Sequence, residues 1–295
     1  MNKIALLGSG TFALSFLEVL DKKDNALTLW SPDKNFKKKL KNATLTYDLL
    51  ESVKDKDYIF ILVSSKYLGS LLNTLLKLDL TEKVLFIGTK GLLQEESYYL
   101  SDFLEKHSLT YTIFGGPNLA SELLKKSPTT ISFSSNYMES KKIVENIFPN
   151  WIQPLYVKNP HHLELCNVLK NIYAIGSGML YSYYPFLNTH FSYINKVILE
   201  LQNLLKEDIY PFLGDVLLTS SMKDSRNYTY GLLFSNKKKK DKFLKNNTVE
   251  GLENLEYVKK VLEKEGLCAP IFLSIYESIK EDSISPKLKE VIFWS

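Results

Sequence analysis

From His162 to Met179 the chain reads HLELCNVLKNIYAIGSGM. Leu165, Val168, Leu169, Ile172 and Ile175 recur at helical spacing and give one apolar face. Asn167, Lys170, Asn171 and Ala174 fall at i, i+3, i+4 and i+7 and make a second stripe, polar and small. A lysine held on a packed helix between two amides can have a depressed pKa and serve as a proton donor. The same residues also describe an ordinary amphipathic helix with a surface lysine. Gly176, Ser177 and Gly178 follow, and their small side chains would let another backbone come close.

Other residues with chemical potential lie to either side. Lys3–Leu7 is a short apolar run that ends in Gly8-Ser9-Gly10, and Thr11 to Leu20 has helical character. Strand, glycine turn and helix in that order form the setting of a dinucleotide fingerprint, with the turn's N–H groups and the helix N-terminus facing a pyrophosphate. The third fingerprint position is Ala13. Downstream, Asp215 sits beside Gly214 in an apolar run, where a carboxylate needs partners. Ser225-Arg226-Asn227 offers a hydroxyl, a guanidinium fork and an amide together, a suitable grip for phosphate.

The elements that must position these groups follow from the pattern. Strand candidates are Lys3–Leu7, Ala26–Trp30, Tyr58–Val63, Lys83–Ile87, Tyr111–Phe114, Thr129–Phe133 and Gln153–Val157, mostly separated by helical or polar segments. This alternation predicts an α/β fold with a mostly parallel, Rossmann-type doubly wound sheet. Three strand ends carry small or polar residues: Ser64-Ser65, Gly88-Thr89-Lys90-Gly91 and Gly115-Gly116-Pro117-Asn118. Ligands in such sheets sit outside the carboxyl ends of the strands, so Lys90 is a candidate contact to an anion or a carbonyl. After Lys158-Asn159-Pro160 the strand signals stop, and 161–182, 190–209, 252–265 and 270–280 read as helices. The expected division is a dinucleotide-binding domain over 1–158 and an all-helical substrate and catalytic domain over 159–295.

Composition bounds the rest. The 295 residues are 45% apolar with a net charge of +4, values of a globular protein large enough for one or two cores. No apolar run reaches membrane-spanning length, and the first residues enter a strand with no leader pattern, so a cytoplasmic protein without membrane insertion is expected. Cys166 and Cys268 read as reduced core thiols in apolar helical surroundings. The four histidines show no metal-ligand spacing, and no metal is expected. The runs Lys37–Lys39 and Lys237–Lys240 read as solvated faces or loops. They lack interleaved arginine and aromatic residues, so no nucleic-acid binding is expected. The mild positive charge suits an anionic substrate.

Taken together, the motifs resemble the bacterial NAD(P)-dependent glycerol-3-phosphate dehydrogenases over nearly the whole chain. The matching stretches, in order, are Gly8-Ser9-Gly10-Thr11-Phe12-Ala13, Thr89-Lys90-Gly91-Leu92, Gly116-Pro117-Asn118-Leu119-Ala120, Glu164-Leu165-Cys166 through Lys170-Asn171 and Ala174-Ile175, and Asn188-Thr189 with Ile194 and Glu200. Gly214-Asp215, Thr219, Ser225-Arg226-Asn227 and Val249-Glu250-Gly251 complete the set. Departures are Phe12, Ala13, Ser64, His190 and the aromatic segment Tyr181–Leu187. The resemblance implies reversible hydride transfer between NAD(P)H and dihydroxyacetone phosphate, giving sn-glycerol 3-phosphate for phospholipid synthesis, by a homodimer. It implies Lys170 as proton donor, Lys90 and Asn171 as contacts to the carbonyl oxygen, and Asp215 as the group that holds Lys170. Arg226 and Asn227, with Ser225, would hold the phosphate, and Gly116 and Asn118 would line the substrate site. Gly8, Ser9, Gly10, Thr11, Phe12, Ser31, Lys90, Ala120, Arg226 and Glu250 would contact the cofactor. Two other readings stand beside it: a related ketopantoate or hydroxyacid reductase, which would not need the Ser-Arg-Asn phosphate grip, and a non-catalytic dinucleotide-binding regulator, which would not need Lys90, Lys170, Asp215 and Arg226 together.

Overall fold

The structure is a computed structural model that describes residues 2–21, 25–89, 99–222 and 224–293. The chain divides into two compact units, Met1–Leu163 and Glu164–Ser295. The division falls within the first turn of a long helix, a few residues beyond the Lys158-Asn159-Pro160 break.

The first unit holds β1 (Asn2–Leu7), α1 (Thr11–Leu20), β2 (Asn25–Trp30), β3 (Ala43–Thr46), α2 (Leu49–Val53), β4 (Tyr58–Ile61), α3 (Ser65–Leu75) and β5 (Val84–Ile87). It continues with α4 (Leu100–Lys106), β6 (Thr110–Gly115), α5 (Ala120–Leu123), β7 (Thr129–Ser135), α6 (Ser140–Ile147) and β8 (Ile152–Tyr156). These strands form one sheet in the order β3-β2-β1-β4-β5-β6-β7-β8. Every neighbouring pair is parallel except β6 with β7. Strand order reverses between β1 and β4, the switch point at which such sheets bind ligands. Strands buried on both faces need continuous apolar runs rather than alternation. Accordingly Ile4 to Leu7, Ile59 to Ile61 and Leu85 to Ile87 have no exposed surface. Phe16 of α1 packs among Phe60, Phe114 and Phe148, and the Phe60 and Phe86 rings stack at 4.6 Å. This aromatic cluster seats α1 on the sheet and so fixes the turn that precedes it.

The second unit is helical. Helix α7 (Pro160–Tyr183) enters it and is followed by α8 (Leu187–Leu205), α9 (Tyr210–Ser221), α10 (Arg226–Leu233) and α11 (Lys237–Asn246). Then come α12 (Glu250–Glu253), α13 (Leu255–Glu265), α14 (Pro270–Lys280), α15 (Pro286–Glu290) and a 3-10 turn at Val291–Phe293. Among the described residues no helix is long and apolar enough to cross a membrane.

Several expectations change. Helix α7 is not amphipathic: every residue from Leu163 to Leu180 is buried. Its small residues do admit another backbone. A methyl group on Gly178 would lie 2.1 Å from the Tyr228 carbonyl oxygen, so α7 and α10 cross at the Gly178–Gly231 contact. The stretch from Phe212 to Thr219 is helical, in α9. The Lys237–Lys240 run is the first turn of α11, not a loop, and Lys240 is buried, paired with Asp282 and 4.5 Å from the Phe234 ring. Cys166 is a buried thiol as expected, whereas Cys268 is exposed in the turn before α14.

Candidate active site

The carboxyl edge of the sheet carries the residues expected to meet a dinucleotide, together with Gly116 and Asn118, expected to line the substrate site. Gly8 follows β1 with φ +128°, and a methyl group there would lie 2.8 Å from the Leu62 carbonyl oxygen. Only glycine adopts this conformation without strain, and it brings the β1 turn against the end of β4. Gly10 is the N-cap of α1, with open space around it and no side-chain cap. No acidic residue in the first turn of α1 would oppose an anion there. Thr11 is exposed beside them, Phe12 packs on Phe16, and Ala13 is fully buried where a larger residue would lift the helix. Gly116 also has a positive φ, +143°, and Asn118 is buried two residues on, with Ala120 opening α5. Trp30 Nε1, Ser64 Oγ and Asn118 Oδ1, near the ends of β2, β4 and β6, are buried without a protein hydrogen-bond partner. Buried polar atoms call for partners. A glycine cradle and buried polar atoms along the carboxyl edge of the sheet fit a dinucleotide. Ser31 is fully buried, and its hydroxyl meets Ser9 Oγ at 2.8 Å and the Asp33 carbonyl oxygen at 3.1 Å, so it shapes the turn. Lys90 lies outside the described residues.

The second unit gathers most of the catalytic candidates. Lys170 is 1% exposed, which excludes a surface lysine. Its Nζ donates to Asp215 Oδ2 across α7 and α9, and Thr219, one turn further along α9, donates to Asp215 Oδ1 at 3.4 Å. A lysine enters an interior only with a partner for its charge. The Lys170 charge is felt one turn away at Cys166, where it opposes the burial that pushes that thiol well above its usual range.

Around this pair the amides are committed to structure. Asn227 Nδ2 donates to Asn171 Oδ1 at 2.9 Å, and Asn227 Oδ1 accepts the Gly251 N–H at 2.9 Å. Asn171 Nδ2 in turn reaches the Asn167 carbonyl oxygen and Glu250 Oε2, both at 3.3 Å. The chain Gly251–Asn227–Asn171–Glu250 thus pins α10 and α12 to α7. Glu250 Oε1 lies 3.5 Å from Arg226 Nη2, and the Arg226 side chain is half exposed. Arg226 is the first residue of α10, and Ser225 caps that helix by accepting the Tyr228 N–H. A guanidinium at a helix N-terminus presents its own charge and the helix dipole to an anion together. Ser177 of α7 donates to the Ser220 carbonyl oxygen and so accepts the Nδ1–H of His190. Burial lowers the pKa of His190, which favours the neutral form of the ring that joins α7, α8 and α9.

Lys170, Asn171, Asp215, Asn227, Arg226 and Glu250 therefore meet in one unit, with Thr219 added. Gly8, Ser9, Gly10, Thr11, Phe12, Ser31, Gly116, Asn118 and Ala120 belong to the other. Sequence reasoning gave Tyr173 and Tyr193 no part, because a buried tyrosine in an apolar run carries no local signal of its partner.

Replacing Asn227 by Ala leaves the Gly251 N–H and the side-chain Oδ1 of Asn171 without these partners. Each such group costs about 1–3 kcal/mol. The urea unfolding midpoint is expected to fall accordingly, and a loss under about 0.5 kcal/mol would mean that this amide chain does not hold the helices.

The same residues lie within stretches that match known proteins. Residues 160–288 match the profile of the NAD-dependent glycerol-3-phosphate dehydrogenase C-terminus, and residues 40–141 that of its N-terminus. The glycerol-3-phosphate dehydrogenase [NAD(P)+] of Malacoplasma penetrans is 29% identical over 323 residues, covering 97% of this chain and 94% of that protein. That of Mycoplasma mobile is 29% identical over 326 residues, covering 99% and 96%. The crystal structure of the Coxiella burnetii glycerol-3-phosphate dehydrogenase superposes with a TM-score of 0.86 at 22% identity, over 99% of this chain and 98% of that one, and shares its fold. With both halves matched in order, the chain belongs to the NAD-dependent glycerol-3-phosphate dehydrogenase family.

Proposed function

We propose that this chain catalyses the reversible reduction of dihydroxyacetone phosphate to sn-glycerol 3-phosphate, the glycerol unit of phospholipids. The observation that carries the reading is a fully buried lysine, Lys170, paired with Asp215 on the helix where the family's C-terminal region begins. Gly8, Gly10 and Thr11 at the start of α1, with Ala120, would hold NAD(P)H, which supplies the hydride. Arg226 and the α10 N-terminus grip the substrate phosphate and so orient the carbonyl. As the carbonyl carbon is reduced, negative charge develops on its oxygen, and Lys170 delivers a proton there. Asp215 balances the ammonium before the transfer and draws a proton back to the amine after it. In the oxidative direction Lys170 takes the proton from the hydroxyl. A phosphate grip beside the lysine favours this substrate over an unphosphorylated keto acid. We further propose that the protein works as a cytoplasmic homodimer, a reading supported by the family relation.

Turnover of dihydroxyacetone phosphate with NADH or NADPH is the direct test. Lys170→Ala is expected to lower kcat by about 10²–10⁴-fold with cofactor affinity retained. Arg226→Ala is expected to raise KM for the substrate, at a cost of about 1.5–3 kcal/mol. Lys170→Ala activity within about threefold of wild type would overturn the proton-donor role, and an unchanged KM in Arg226→Ala would move the phosphate site elsewhere.

The cofactor turn supports use of both nicotinamides. An acid at the end of β2 would exclude a 2′-phosphate, but that strand ends Trp30-Ser31-Pro32. Asp33 Oδ1 accepts the Asn35 N–H at 2.8 Å within its own turn, and Lys34 is exposed. Values of kcat/KM for NADH and NADPH are expected to agree within roughly a hundredfold, and Lys34→Glu to shift the ratio toward NADH. A wild-type preference for NADH beyond about a thousandfold would show that Asp33 reaches the ribose.

A further inference from the structure

Helix α7 has no solvent face between Leu163 and Leu180. Burial of apolar surface is non-directional and therefore does not choose how such a helix is rolled about its own axis. Directional contacts must do so. Lys170 and Ser177 are tied to α9, and Asn171 to α10 and α12.

Another side is held by a residue the mechanism does not use. Tyr173, three positions after Lys170 and fully buried, donates its hydroxyl to Glu200 Oε1 at 2.8 Å. Glu200, in the middle of α8, is itself 5% exposed. Its two oxygens also accept the Ile271 N–H at 2.7 Å and the Phe272 N–H at 3.1 Å. These are first-turn donors of α14, which have no partner within their own helix. One carboxylate thus joins α7, α8 and α14. Burial raises its pKa, while the three hydrogen bonds favour the ionised form. Tyr193 of α8 completes the junction by donating to the Tyr173 carbonyl oxygen at 2.9 Å. Gly176 makes room for this: a methyl group there would lie 2.5 Å from the Tyr193 hydroxyl and 2.6 Å from Ile275 of α14.

We propose that Glu200, acting through Tyr173, is a positioning residue for Lys170: it sets the roll of α7 and with it the direction of the ammonium group. The proposal rests on Lys170 being the proton donor. A side chain reaching roughly 6 Å from a helix axis moves about 1 Å for a roll of ~10°. A misplacement of about 1 Å in a reacting group can cost on the order of a hundredfold in rate.

Tyr173→Phe removes one hydroxyl, keeps the volume, and leaves Glu200 with both α14 N–H groups, so the fold survives. Its kcat is expected to fall about tenfold or more, with KM for dihydroxyacetone phosphate and for the cofactor within about twofold of wild type. The isotope effect with deuterated reduced cofactor is expected to rise, because the chemical step becomes slower. Glu200→Gln keeps the acceptor for the Tyr173 hydroxyl but turns an NH2 toward the Ile271 N–H, so it is expected to lower thermal stability while retaining more kcat than Tyr173→Phe. Ile275→Val, at the same junction, is expected to lower thermal stability and leave kcat unchanged. A Tyr173→Phe enzyme with wild-type kcat, or an Ile275→Val enzyme that loses kcat to the same extent, would reduce the Glu200 junction to a purely structural role. Wild-type protein inactive with both cofactors would instead overturn the functional reading, and this proposal with it.

Discussion

The candidate site in the second unit depends on one interaction, the buried pair of Lys170 and Asp215. Taking an ammonium and a carboxylate out of water costs several kcal/mol per ion, and their attraction repays this only with good geometry. A fold seeking stability alone would place two apolar side chains there. Under the proposed function, what the pair secures is an ammonium group in a protected setting, where a developing negative charge would be stabilised far more strongly than in water. The surroundings serve that end. Thr219 takes up the second side of the Asp215 carboxylate, and α10 approaches α7 closely enough to bring Arg226 and Glu250 to the same helix. The buried amides Asn171 and Asn227 satisfy one another instead of facing solvent.

The first unit solves a different problem with different means. Parallel strands covered on both faces give a rigid sheet, and the strand-order reversal opens its carboxyl edge between β1 and β4. There a glycine with φ +128° sets the turn after β1, in contact with the end of β4. Sequence constraints in this unit are accordingly steric, whereas those in the helical unit are electrostatic.

This difference decides what could be read from the sequence. The β1–turn–α1 unit and the central strands were legible because their signals are local: continuous apolar runs, then glycine. Strand β3 escaped because Ala43–Thr46 is a short edge strand with no apolar run of its own. Lys170, Asp215 and Arg226 stood out as charges in apolar or small-residue settings, and the resemblance assigned them roles. Helix α9 did not stand out, because its apolar residues are not confined to one face and its period is blurred. The burial of Lys240 depends on Asp282, 42 positions away. The junction of Tyr173 with Glu200 spans 27 positions, and nothing in either segment announces the other.

The central claim is that the Lys170–Asp215 pair exists for proton transfer and not for stability. A double-mutant cycle tests it most directly: urea unfolding and turnover of wild type, Lys170→Met, Asp215→Leu and the double variant. Each single change strands a buried charge and should destabilise by about 3–5 kcal/mol, whereas the double variant should regain wild-type stability or exceed it while remaining inactive. A double variant less stable than either single one would contradict the account and make the pair part of the fold's own support.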